Sequence, residues 1–173
     1  ANGLQSLGVK LGDRVATLAW NGYRHFELYY AISGIGAVCH TVNPRLSAEQ
    51  MIYIINHAGD SIICVDLTFV PILVAIRDKL PSNMKYIIMT DRGHMPDTVL
   101  ENTLCYEEIL ETGESNIEWP EFSEETASSL CYTSGTTGNP KGSLYTHRST
   151  VLHSLTAGIS FPETMRAGVR ILP

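Results

Sequence analysis

Short apolar runs alternate along this chain with stretches whose apolar residues recur every three or four positions. That alternation of strand-like and helix-like periods predicts a largely parallel α/β sheet flanked by helices. Leu11-Gly12-Asp13 reads as a turn, and Arg14 to Trp20 as a buried strand. A helix is expected from about Tyr23 to Val38, apolar on most faces and therefore deeply packed. Cys39 to Val42 reads as a strand, stopped at Asn43-Pro44 because proline cannot donate to a ladder. Ser47-Ala48-Glu49-Gln50 has the form of a capping box. Met51, Ile54, Ile55 and Ala58 then follow at helical spacing as one buried face.

Ser61 to Val65 and Lys85 to Thr90 read as further strands, separated by a helix carrying Phe69, Ile72, Leu73, Ile76 and Leu80 on one side. Pro71 is tolerable there only in a first turn, where its missing N–H costs nothing. Asp91 to Asn102 is expected as a loop, Tyr106 to Glu111 as a short helix, and Gly113 to Glu125 as an acidic, solvated connector. Thr126 to Tyr132 and Ser143 to Thr146 read as strands on either side of a glycine-rich loop, and His147 to Ile159 as a helix. This organises the chain as an α/β subdomain over 1–112, a connector over 113–125 and a loop-bearing segment over 126–173. Ala1 to Gln5 reads as the tail of a helix and Val169 to Pro173 as an interrupted strand, so a piece of a longer protein is expected.

Composition narrows the function classes. The 173 residues suit one compact domain, with 44% hydrophobic and 17% charged residues, as in globular rather than disordered chains. A net charge of −6, with no two basic residues adjacent, argues against nucleic acid as a partner and gives no support for binding anionic lipid. No apolar stretch approaches the roughly 20 residues of a transmembrane helix. Cys39, Cys64, Cys105 and Cys131 form no C-x-x-C pair and suit a reducing compartment better than a disulfide framework.

The chemistry concentrates in Thr133-Ser134-Gly135-Thr136-Thr137-Gly138-Asn139-Pro140-Lys141-Gly142. A polyphosphate needs several N–H groups converging on its oxygens. Gly135, Gly138 and Gly142 expose the backbone and permit positive φ, while the hydroxyls and Lys141 add donors and a cation. The order differs from Walker A, since Lys141 precedes Gly142 rather than Ser or Thr, and no G-x-G-x-x-G is present. On the residues alone, a Ser/Thr/Gly hairpin without chemical meaning stays open.

The same ten positions resemble the signature loop of the adenylate-forming superfamily of acyl-CoA synthetases, luciferases and peptide-synthetase adenylation domains. Nine specified positions at average usage give a chance match on the order of 10⁻⁹. Gly12-Asp13-Arg14-Val15-Ala16, Leu18-Ala19-Trp20-Asn21, Gly36-Ala37-Val38, Asn43-Pro44-Arg45-Leu46 and Tyr145-Thr146-His147-Arg148-Ser149 are similar to segments of fatty-acyl-CoA synthetases. Ser143 departs from the usual β-branched apolar residue, without touching the expected phosphate contacts.

The resemblance implies part of the large amino-terminal domain of an AMP-forming fatty-acid–CoA ligase. It implies fatty acid, ATP and coenzyme A as substrates, with Mg²⁺, in the cytoplasm, and leaves homodimerisation open. Thr133, Ser134, Gly135, Thr136, Thr137, Gly138 and Lys141 carry over as ATP contacts, with Thr133 near the magnesium ion. No catalytic residue is assigned within these positions, and the chain alone is expected to be inactive. Alternatives are an aryl-acid or amino-acid activating enzyme, or a non-catalytic nucleotide-binding or dimerisation module.

Other candidates carry less. His147 is a candidate cap, and His147 and His153 lie six apart, too far round a helix for an i, i+4 metal pair. His25, His40, His57 and His94 show no ligand spacing either. Trp20, Tyr29 and Tyr30 suit core positions, although an acyl pocket would also be aromatic. Glu118, Glu121, Glu124 and Glu125 read as a solvated run.

Overall fold

A computed structural model describes residues 1–133 and 139–162. Among the described residues seven strands form one sheet: β1 (Arg14–Leu18), β2 (Val38–Thr41), β3 (Ile62–Val65), β4 (Lys85–Ile88), β5 (Thr103–Cys105), β6 (Ala127–Thr133) and β7 (Lys141–Thr146). Their order is β5-β4-β3-β1-β2-β6-β7. Every neighbouring pair is parallel except β6 and β7, which form an antiparallel hairpin. The expected fold class holds, and β6 joins through β2, with Cys39 opposite Ser129 and Thr41 opposite Cys131.

Among the described residues six α-helices accompany the sheet: α1 (Asn2–Ser6), α2 (Tyr23–Gly34), α3 (Ala48–Ala58), α4 (Val70–Ile76), α5 (Tyr106–Thr112) and α6 (His147–Ser160). Helices α3 and α4 cover one face through Met51, Ile54, Ile55 and Leu73, packed on Ala16, Leu18, Ile63, Val65 and Ile88. Residues of α1, α2 and α5 pack on the alternate strand positions Val15, Cys39, Ile62, Cys64 and Ile87. Strands covered on both sides read as the continuous apolar runs seen here.

Local signals explain several boundaries. Ser47 Oγ accepts from the Gln50 N–H while the Gln50 side chain accepts from the Ser47 N–H, completing the expected capping box. Helix α3 ends at Gly59, whose φ of 69° lies in the left-handed region that glycine enters freely. The Arg14 guanidinium donates to the Ala58 and Gly59 carbonyls there, placing a cation at a helix end that favours one. Pro71 falls in the first turn of α4, as expected.

Three expectations need correction. Helix α2 is shorter than 23–38, because Gly36 (φ 77°) turns the chain into β2. It is also not deeply packed: only His25, Leu28 and Ile32 are buried, and Phe26 and Tyr30 are 64% and 63% exposed. The stretch after Asn102 holds an unexpected edge strand, β5, three residues long and paired with β4. The acidic connector is solvated as expected, with Glu118, Glu121, Glu124 and Glu125 all exposed, and it still touches its neighbours. Trp119 lies against Gly34, where the indole leaves no room for a Cβ, and Glu124 and Glu125 pair with Arg148. The interrupted strand expected at Val169 to Pro173 lies outside the described residues.

Candidate phosphate-facing site

Because β6 runs parallel to β2, its carboxyl end at Thr133 shares an edge with the ends of β1 and β2, at Trp20 and Asn43. That edge of an open parallel sheet is where crevices for ligands form. Thr133 and Lys141 are register partners across the hairpin, and both are exposed. The hairpin thus brings together the first and last of the proposed ATP contacts, a hydroxyl and a cation. Ser134, Gly135, Thr136, Thr137 and Gly138 lie outside the described residues.

Gly142 has a different role from the one expected. It sits within β7, and positive φ among the described glycines occurs at Gly8, Gly12, Gly36 and Gly59. A Cβ on Gly142 would come within 3.1 Å of Leu130 Cδ1 and 3.2 Å of Tyr132 Cζ. A side chain there would crowd the Tyr132 ring by a few tenths of an ångström.

Tyr132 is the centre of an arrangement that spacing did not reveal. Its hydroxyl lies 2.7 Å from His57 Nδ1 at the end of α3, and its ring centroid is 5.2 Å from that of His40. Tyr53, one turn earlier on α3, stacks on His57 at 5.2 Å. His40 is fully buried on β2, and its Nδ1 lies 2.6 Å from Asp60 Oδ2, also buried. Burial pushes the Asp60 carboxyl up, against the opposing pull of His40. Burial, reinforced by the Asp60 charge, also raises the Tyr132 phenol, which keeps its proton at neutral pH. His40 and His57 therefore have no ligand spacing, as read, but they have a shared neighbour. The only hint in the sequence was an aromatic residue immediately before the loop.

On the opposite face a cleft of about 770 Å³ opens between α2, α6 and the connector. Phe26, Tyr29, Tyr30, Trp119 and Phe122 line it, with Cys39 among the sheet residues below. Tyr29 and Tyr30 are thus wall rather than core. Trp20, 55% exposed, packs elsewhere, on Phe69 at 4.9 Å. The Cys39 thiol is pushed up to about 12 by burial and is unreactive at neutral pH. His147 is not the cap of α6: the Thr146 side chain accepts from the Ser149 N–H, and His147 packs on Phe122 at 4.9 Å.

For Mg²⁺, the described residues contain no group of three or more His, Cys, Asp or Glu that could hold a metal. The exposed Thr133 hydroxyl fits the ion as a single oxygen ligand, provided that phosphate oxygens supply others. Among the described residues no helix is long and apolar enough to cross a membrane.

Comparison with known proteins agrees with this fold. The AMP-binding enzyme family model matches residues 1–170. A 3-methylmercaptopropionyl-CoA ligase of Ruegeria lacuscaerulensis is 55% identical over 87% of the chain and 28% of that protein. A medium-chain-fatty-acid–CoA ligase of Ectopseudomonas oleovorans is 48% identical over the whole chain and 32% of its own length. The chain therefore spans about a third of the length of these curated relatives. Among solved structures, an anthranilate CoA ligase in complex with anthranoyl-AMP superposes with a TM-score of 0.83 at 26% identity, covering 91% of this chain and 29% of that one. With the family model matched over residues 1–170 and the fold in agreement, the chain belongs to the AMP-binding enzyme family.

Proposed function

We propose that this chain is the amino-terminal part of an AMP-forming acid–CoA ligase and supplies its grip on the ATP phosphates. The observation that carries the reading is the exposed Thr133–Lys141 pair at the carboxyl edge of the sheet, bracketing Ser134-Gly135-Thr136-Thr137-Gly138. The acid's carboxylate oxygen attacks the α-phosphorus, the bond to the β-phosphate oxygen breaks, and pyrophosphate leaves. The coenzyme A thiol, losing its proton, then attacks the acyl carbon and AMP departs.

The residues of this chain serve the first step by binding and orientation. Lys141 offsets phosphate charge, and the hydroxyls and N–H groups of 133–138 hold the β- and γ-phosphates, fixing the angle at which the α-phosphorus is approached. Mg²⁺, when bound, adds neutralisation of the phosphate charge, with Thr133 offering one ligand oxygen. The four cysteines are free thiols, which supports a cytoplasmic setting.

The relatives divide on the acid. Identity of 48% to a medium-chain-fatty-acid–CoA ligase supports a fatty acid, and 55% to a 3-methylmercaptopropionyl-CoA ligase favours a short thioether acid as the second reading. The test is acid-dependent AMP and pyrophosphate formation by the full-length protein, with straight-chain fatty, thioether, aromatic and amino acids in parallel. AMP formed with a fatty or thioether acid is expected. Turnover restricted to aromatic or amino acids would defeat this reading. The chain of 173 residues alone is expected to form no AMP, because its residues supply only the phosphate grip.

A further inference from the structure

Among the described residues the hairpin lies at one margin of the sheet: there β7 has a single neighbour, β6, and β6 is tied to the other strands through β2. At the amino end of β6, Ser128 Oγ bonds to the Tyr145 carbonyl and lies 3.3 Å from Thr150, within the hairpin and α6. At the carboxyl end the side-chain ties are to other elements: Thr41 Oγ1 on β2 to Cys131 Sγ at 3.3 Å, and Tyr132 to His57 on α3 at 2.7 Å.

Tyr132 is the residue whose position sets that of both exposed contacts. It precedes Thr133 in β6 and is register partner of Gly142, which follows Lys141 in β7. Its ring lies beside Gly142 and 5.2 Å from the His40 ring. His40 is held in turn by Asp60, and His57 is steadied by Tyr53. A tyrosine held at its ring and at its hydroxyl has little freedom to rotate. The strand carrying it cannot then slide or tilt without breaking a hydrogen bond.

We infer that Tyr132 and His57 are positioning residues for the nucleotide, locking the mouth of the hairpin to helix α3 so that Thr133 and Lys141 face the phosphates in one fixed arrangement. Neither touches the nucleotide. The inference rests on the reading above, that this hairpin grips ATP. It assigns to α3, an element with no place in the glycine-rich motif, a share in setting nucleotide affinity. Pre-organisation of this kind appears as affinity, because a hairpin already in its bound geometry loses less freedom on binding.

The experiment compares full-length wild-type protein with Tyr132→Phe, His57→Ala, the double variant and His57→Asn, whose amide can occupy the Nδ1 position. Measured are KM for MgATP, the acid and coenzyme A, with kcat, and MgATP affinity by titration calorimetry on samples matched by circular dichroism. Each single variant should raise KM and Kd for MgATP about fivefold to tenfold, the size of one net hydrogen bond. The double variant should add little, and His57→Asn should recover most of the loss. KM for the acid and coenzyme A should stay within about twofold in every variant, a split that general loosening of the fold would not produce.

Unchanged MgATP affinity in Tyr132→Phe, fully additive single effects, or an equal rise in all three KM values would each overturn the inference while leaving the ligase reading intact. A wild-type protein with no acid-dependent AMP formation and no MgATP affinity would overturn both.

Discussion

The centre of the sheet and its β7 side are built on different principles. Strands β1 and β3 are buried at nearly every position, and Ile63 and Val65 have no exposed surface. Strand β7 has no buried residue, only Ser143 and Thr146 being half-buried, and no described residue of α6 is buried. The centre is held by non-directional apolar contact and the margin by backbone pairing with a few polar ties. A scaffold needs the first, because it must not move. A phosphate grip needs open backbone and an accessible cation, which a fully packed strand cannot offer.

Truncating one apolar side chain in each region should give the widest separation. Ile63→Ala at the centre should destabilise by about 2–5 kcal/mol, through lost transfer energy and the cavity left behind. Leu144→Ala, at a position 62% exposed in β7, should cost no more than about 0.5 kcal/mol. Denaturant unfolding measures both, and equal midpoint shifts would break the contrast.

Gly142→Ala lies between these extremes. The added methyl must displace Leu130 or the Tyr132 ring by a few tenths of an ångström, and a cost of about 1 kcal/mol is expected. A neutral result in the same unfolding assay would show that the ring has room to give.

The smallest effect is chemical. Iodoacetamide at pH 8 should label half-buried Cys131 in the hairpin first and leave native Cys39 and Cys64 unlabelled, as mass spectrometry of digests would show. Burial raises both sheet thiols, Cys39 to about 12 and Cys64 further. With folded values above the unfolded one, their contribution to stability is complete below about pH 8.5 and declines as pH climbs towards those raised values. Labelling of Cys39 as fast as Cys131 would show that the centre opens as readily as the margin.

What the sequence disclosed follows the range of each interaction. The capping box at Ser47 and Gln50 spans three residues and could be read letter by letter. The parallel sheet followed from apolar runs, because burial on both faces leaves an unmistakable composition. Helix α2 misled because periodicity reports how many apolar residues there are, whereas packing depends on what lies opposite. Phe26 and Tyr30 face the cleft rather than a neighbouring helix. Strand β5 is too short to show a period. The glycine-rich motif was recognisable from its order, and Thr133 and Lys141 within it do meet. The tie between Tyr132 and His57 crosses 75 residues, and no local pattern encodes it.

The pairing of β6 with β2 also has a consequence for how the chain is made. Thr41 and Cys131 are 90 residues apart, so during synthesis β2 is complete long before its outer partner emerges. At ordinary elongation rates that interval is roughly 5–18 s. Throughout it, one rim of a nascent parallel sheet offers unpaired N–H and C=O groups to any extended chain nearby. Arrival of β6 closes that rim, so the strand that presents Thr133 also ends the period in which the newborn protein is most exposed to aggregation.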